Sequence, residues 1–192
     1  MKKFLVSALM LFAASTATFA QHAVGSFSLQ PKVGISIADM TDTQGTTSRI
    51  GFVGGLEGEY QAADIFSLSV GVNYSQEGFK MKNSDNKVKL DYVNVPILAN
   101  VYLTKGLAVK VGVQPGFNVG NSVTINGQTE SSSKKDYDGI KSVALSIPVG
   151  LSYEFSNVVL DARYNWGVTK AFDALDSKNS VFQVTIGYKF QL

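Results

Sequence analysis

The chain has 192 residues, enough for one domain, with a formal charge of +2 and no cysteine. Lys2 and Lys3 carry that excess inside an N-terminal leader, so the remainder is formally neutral and offers no basic surface for nucleic acid. The lack of cysteine excludes a disulfide-stapled domain and a lipid anchor on an N-terminal Cys.

The first element is the leader itself. MKKFLVSALMLFAASTATFA has a basic start, an apolar stretch from Phe4 to Ala13 and small residues before Ala20. This pattern predicts a secretory signal peptide, 1–20, cleaved after Ala20 to leave a single domain over 21–192. Its apolar run falls short of the roughly 20 residues a spanning helix needs. No later segment comes closer, so a membrane protein built from this chain must cross with strands.

From residue 27 onward, apolar residues recur at every second position, the period of a strand with one apolar face. The predicted strands in order carry Phe27, Leu29, Pro31, Val33, Ile35 and Ile37; Ile50, Phe52, Leu56 and Tyr60; Phe66, Leu68, Val70, Val72 and Tyr74. The fourth carries Val93, Val95, Ile97, Ala99, Val101 and Leu103, and the fifth Leu107, Val109, Val111, Val113, Phe117 and Val119. The sixth carries Val143, Leu145, Ile147, Val149, Leu151, Tyr153 and Phe155; the seventh Val158, Leu160, Ala162, Tyr164, Trp166 and Val168. The eighth, VFQVTIGYKFQL, alternates from Phe182 to Leu192 without a break. In the fourth strand Val88 and Leu90 are out of phase with Val93 and Val95, which predicts a β-bulge near Asp91-Tyr92.

The connections alternate too. QAAD, TKG and SN are tight turns, whereas 39–48, 76–86, 121–138 and 169–180 read as long polar loops. Short turns at one end and long loops at the other describe an all-β, eight-stranded antiparallel up-and-down barrel. Its closed form has two homes, distinguished by which face is apolar. A lipocalin-like calyx is apolar inside, whereas a transmembrane barrel carries its apolar band outside. The minor set here is Gly, Ser, Asn and Gln, which suit the crowded interior of an eight-strand barrel. The major set would make an unbroken sticky surface in water. A lipocalin would also carry a Gly-x-Trp near its first strand, and the sole Trp is Trp166. The apolar set is therefore expected to face lipid.

Aromatic placement agrees with that orientation. Tyr60, Phe66, Tyr153, Phe155, Tyr188 and Phe190 fall near the tight turns; Phe52, Tyr74, Phe117, Tyr164, Trp166 and Phe182 fall near the long loops. Two such girdles mark the lipid–water interfaces of a membrane barrel.

LDYVNVPILANVY, GLAVKVGVQPGF and SIPVGLSYEFSNVVLDARYNWGVT resemble the PorT-like outer-membrane β-barrel family, small eight-stranded barrels of the OmpA/OmpX type. The resemblance spans essentially the whole mature chain and implies an eight-strand barrel in the outer membrane of a Gram-negative cell; the barrel is expected to be a monomer. Functionally the resemblance implies little; the expected role, read from the plugged lumen and long loops, is a structural or interaction one in the envelope, related to secretion or adhesion.

The residues themselves speak against catalysis. The sole imidazole, His22, lies just past the expected cleavage site and is read as outside the barrel, so no Ser-His or Asp-His site is assembled. No catalytic, metal-ligating or cofactor-binding residue is predicted, and no cofactor. GFVGGLEG lacks the spacing of a phosphate-binding loop and no helix follows it. Parity instead places Glu57, Glu59, Lys110, Glu154, Asp161, Arg163 and Lys189 inside the barrel near the tight turns. Buried charges of this kind must pair. Arg163 is expected to reach Glu57, Glu59 or Glu154. The paired cluster reads as a structural plug; a small pore is the alternative. The expected partners are outer-membrane lipid and, through the four long loops, other envelope or extracellular proteins.

Overall fold

An extended backbone turns successive side chains to opposite faces, so the two-residue apolar period leaves each strand with one face to hide from water. The computed structural model describes residues 22–41, 45–82, 84, 86–125, 128–132, 141–170 and 177–192. The leader 1–20 and its cleavage site lie outside these. The strands are β1 (Phe27–Met40), β2 (Thr46–Ala63), β3 (Phe66–Met81), β4 (Lys87–Asn94), β5 (Ile97–Thr104) and β6 (Leu107–Ile125). They continue as β7 (Gln128–Ser132), β8 (Val143–Phe155), β9 (Val158–Lys170), β10 (Lys178–Tyr188) and β11 (Phe190–Gln191). β4 and β5 make one stave broken at Val95-Pro96, where a proline without an N–H would otherwise leave a gap in the ladder. β10 and β11 make the last stave, and β7 continues the β6 ladder outward.

Eight antiparallel staves result, in sequence order around the ring. Closure comes from β1, which pairs with β2 on one side and with β10 and β11 on the other; Lys32–Met40 run against Gly187–Asn179. Closure is obligatory in hydrocarbon, where each unpaired backbone group costs several kcal/mol. The final strand is strict in its alternation because a one-residue slip would turn Lys189 outward and Tyr188 and Phe190 inward. Among the described residues no helix is long and apolar enough to cross a membrane.

The faces follow the parity read from sequence. Ile50, Phe52, Leu56, Val70, Val72, Leu160, Trp166 and Ile186 are all exposed on the outer wall, Ile50 by 67% and Trp166 by 59%. The alternating partners Ser69, Asn73, Asn100, Lys110, Arg163 and Thr185 are buried inside. The tight turns are two-residue ones, Asp64-Ile65, Lys105-Gly106 and Ser156-Asn157. Gly106 (φ 86°) and Ser156 (φ 56°) supply the left-handed backbone that such turns need. At this end Phe27 and Tyr60 stack with ring centroids 4.7 Å apart, and Tyr188 and Phe190 at 4.8 Å.

The long connections are shorter than the sequence predicts, because strands run on through them. β3 continues to Met81 inside 76–86, β6 and β7 form a hairpin inside 121–138, and β9 and β10 extend into 169–180. β1 and β2 likewise take both ends of 39–48. Residues 42–44, 83, 85, 126–127, 133–140 and 171–176 of these segments lie outside the described ones. The extensions were hidden because polarity inverts there. Beyond the lipid the outer wall meets water, and the inner wall carries an apolar cluster of Met40, Phe79, Leu90 and Tyr92, with Val88 and Ala144 against it.

The same inversion explains the fourth stave. A register shift does fall at Asp91/Tyr92 as predicted, but the extra residue is Val119 on the facing β6. β4 itself keeps one parity from Leu90 through Tyr92 to Asn94, all buried inside. Val88 and Leu90 change phase relative to Val93 because the environment changes, not because the strand slips.

Candidate functional site

Four staves send charged side chains to one level of the interior. Glu57 of β2 stands at the centre. Its carboxylate contacts Lys32 of β1, accepts from Lys110 Nζ of β6 at 2.9 Å and from Arg163 Nη2 of β9 at 3.3 Å. Asp161 joins the group, 2.9 Å from Arg163 Nη2 and 3.1 Å from Lys110 Nζ. Because β2 is a neighbour of neither β6 nor β9, these pairs tie opposite walls together. Gly150 makes room for this: a Cβ there would lie 2.6 Å from the Ala162 carbonyl oxygen and 3.0 Å from Arg163 Cα.

A second group lies one residue pair closer to the tight turns. Glu59 accepts from Lys189 Nζ at 3.1 Å and from Ser67 Oγ at 2.6 Å, and takes the Tyr102 hydroxyl as well. Lys189 also reaches Glu154 Oε2 at 2.8 Å. His22 closes this end with Nε2 3.0 Å from Glu154 Oε1 and its ring against Gln191. His22 is therefore docked on the barrel mouth, not set apart from it. The expectation failed because nothing in the sequence marks a segment ahead of the first strand as folding back.

All seven residues named from sequence come together in these two groups. Arg163 pairs with Glu57 and with Asp161, two positions away on its own strand; Glu59 and Glu154 are served by Lys189 instead. Both Arg163 contacts use Nη2, and its Nε and Nη1 have no partner among the described residues. Sequence reasoning missed Lys32, which completes the balance at four acidic and four basic side chains. The signal was there, since Lys32 sits between outward Pro31 and Val33. It also missed Tyr102, and Arg49 and Glu77 farther up, the last hidden in a stretch read as loop. Arg49 donates to the Glu77 main-chain oxygen; the Glu77 carboxylate accepts from Asn94 at 3.2 Å and Asn179 at 3.0 Å.

Between the ion pairs and the apolar cluster lies a polar cavity of about 20 Å³, lined by Glu77, Tyr92, Asn94, Gln114, Asn165 and Asn179. That is room for about one water. Among the described residues no group of His, Cys, Asp and Glu could hold a metal ion.

This geometry, with polar groups inside and an apolar wall outside, agrees with the comparisons to known proteins. Residues 19–173 match the family model described as the outer membrane protein beta-barrel domain. The chain belongs to this family. It is accordingly a protein of the Gram-negative outer membrane. Among solved structures it is similar to Ail, the attachment invasion locus protein of Yersinia pestis, crystallised with the heparin analogue sucrose octasulfate. The TM-score is 0.55 at 19% identity, over 88% of this chain and 100% of that one. Neisserial surface protein A is similar at TM-score 0.54 and 20% identity, over 86% of this chain and 97% of that one. Likeness at this level concerns the fold. No curated protein shows significant sequence similarity. The PorT-like resemblance thus resolves to the broader outer-membrane barrel domain family.

Proposed function

We propose that this outer-membrane barrel is a plugged, non-catalytic one that acts through its extracellular end. The observation that carries the reading is the ion-pair group at Glu57, which bridges walls that are not neighbours. An eight-strand lumen is already just wide enough to be filled by side chains. Bridging it with Lys32, Lys110, Arg163 and Asp161 leaves no continuous water path. The apolar cluster of Met40, Phe79, Leu90 and Tyr92 supports a second closure above it. The lumen charges therefore serve stability and register, and the strand extensions and loops within 39–48, 76–86, 121–138 and 169–180 meet lipid and other envelope or extracellular proteins. The barrel acts as a monomer, exported by the 1–20 signal peptide.

Planar-bilayer conductance tests this. The refolded protein should show no stable openings. Stable openings in the parent that disappear in Glu59→Gln or Arg163→Ala would instead make the lumen a selective pore.

A further inference from the structure

Beyond the lipid band, the register of the strands lines up polar residues across neighbouring strands, with lysines on the outer wall and Thr124 buried beside them. Thr47 of β2 pairs with Lys80 of β3, Lys80 with Lys87 of β4, Lys87 with Thr124 of β6, and Thr124 with Thr129 of β7. The next outward row toward the membrane contributes Lys89, paired with Gly78 and Ser122. The face is outward because its neighbours in sequence, Phe79, Val88 and Leu90, pack inside. It holds ammonium and hydroxyl groups only, with Asp91 at its lower edge. Among the described residues no ion pair engages Lys80, Lys87 or Lys89, and Asp85 lies outside those residues.

Two features require an explanation. Like charges placed directly opposite on paired strands repel and destabilise the sheet, yet Lys80 faces Lys87. Lysines on a twisted edge also serve solubility in general, but solubility needs no pairing of lysine directly against lysine. Height decides what the row meets. Lys80 lies six residues beyond Tyr74 of the upper girdle and Lys89 four beyond Val93, which pairs with Tyr74. At about 3.3 Å per residue and a tilt of about 40°, the rows stand roughly 10–15 Å above the girdle. Phospholipid headgroups occupy only about 5–7 Å beyond the hydrocarbon. The phosphorylated sugars of outer-leaflet glycolipid extend to the height of the rows, and a laterally facing surface meets them before anything in solution.

We propose that the outer face of the β3–β4 hairpin, carrying Lys80, Lys87 and Lys89, binds the phosphorylated sugar headgroup of lipopolysaccharide. A phosphate between Lys80 and Lys87 would turn their repulsion into a shared charge-assisted contact.

The test is binding of lipopolysaccharide to the folded barrel in phosphatidylcholine nanodiscs, read together with its unfolding temperature. Lys80→Gln/Lys87→Gln/Lys89→Gln should weaken binding about a hundredfold, from three lysines facing an anionic surface. Its unfolding temperature in phosphatidylcholine alone should equal or exceed that of the parent. Dephosphorylated lipopolysaccharide should bind the parent as weakly as intact lipopolysaccharide binds the variant. Lys105→Gln, on a tight turn at the opposite end, should bind as the parent does. Equal binding by parent and triple variant overturns the proposal, as does binding that survives dephosphorylation. Binding of a soluble sulfated polysaccharide with none of lipopolysaccharide also overturns it. If the triple variant does not fold, the parent alone decides: binding lost on raising salt to 0.5 M supports the proposal, and salt-independent binding contradicts it.

Discussion

Arg163 is the residue on which the interior depends most. It is buried, and its partners Glu57 and Asp161 are buried with it. Removing one member of a buried ionic group leaves the others without compensation, typically at about 3–5 kcal/mol. Arg163→Ala should therefore lower the temperature at which the folded, fast-migrating form on a gel converts to the boiled form. Partner choice sharpens the test, because contacting residues couple and distant ones add. Asp161→Asn should recover part of the loss in the Arg163→Ala background. Glu59→Gln should recover none, since Glu59 is served by Lys189, Tyr102 and Ser67. A variant that stays folded to the parent's temperature would show that the ion pairs do not hold the walls together.

At the scale of the strand, the sequence was legible wherever one solvent lay on one side. The staves from Phe27 to Ile37, Phe66 to Tyr74 and Phe182 to Leu192 have lipid on one face throughout, so period-two alternation locates them and parity sorts their charges. Legibility ended where the outer wall leaves the lipid. At Phe79, Lys80, Val88 and Leu90 the strands go on pairing while inside and outside exchange polarity, and the pattern reads as loop. The bulge was found at its level but on the wrong strand, since a change of environment and a slip of register look alike in one sequence. The docking of His22 depends on distances across the ring, which no local pattern carries, whereas Arg163 and Asp161 lie two apart on one face of β9 and their contact was open to parity. The pairing of β6 with β7 over Asn121–Ser132 has a consequence for proteolysis. Protease added to whole cells should cut within 121–138, outside the β6–β7 ladder, and should spare 61–64 and 104–106. Peptide mapping by mass spectrometry reads the positions, and cuts confined to the tight turns would invert the topology.

The whole molecule is a cylinder whose two faces have exchanged the usual roles. In its two ion-pair groups the inner charges neutralise one another, four against four, and its large apolar side chains are left on the outer wall for lipid to cover. Conductance and stability report on the inner face. The outer face has a probe of its own in Trp166, the sole tryptophan, which is 59% exposed on β9 at the level of the upper girdle. Its fluorescence in vesicles of brominated phospholipid tests the arrangement most directly. Bromines near the headgroup should quench Trp166 strongly, bromines near the chain ends weakly, and a soluble quencher should compete poorly. Emission indifferent to brominated lipid but open to the soluble quencher would place this wall in water and contradict the account.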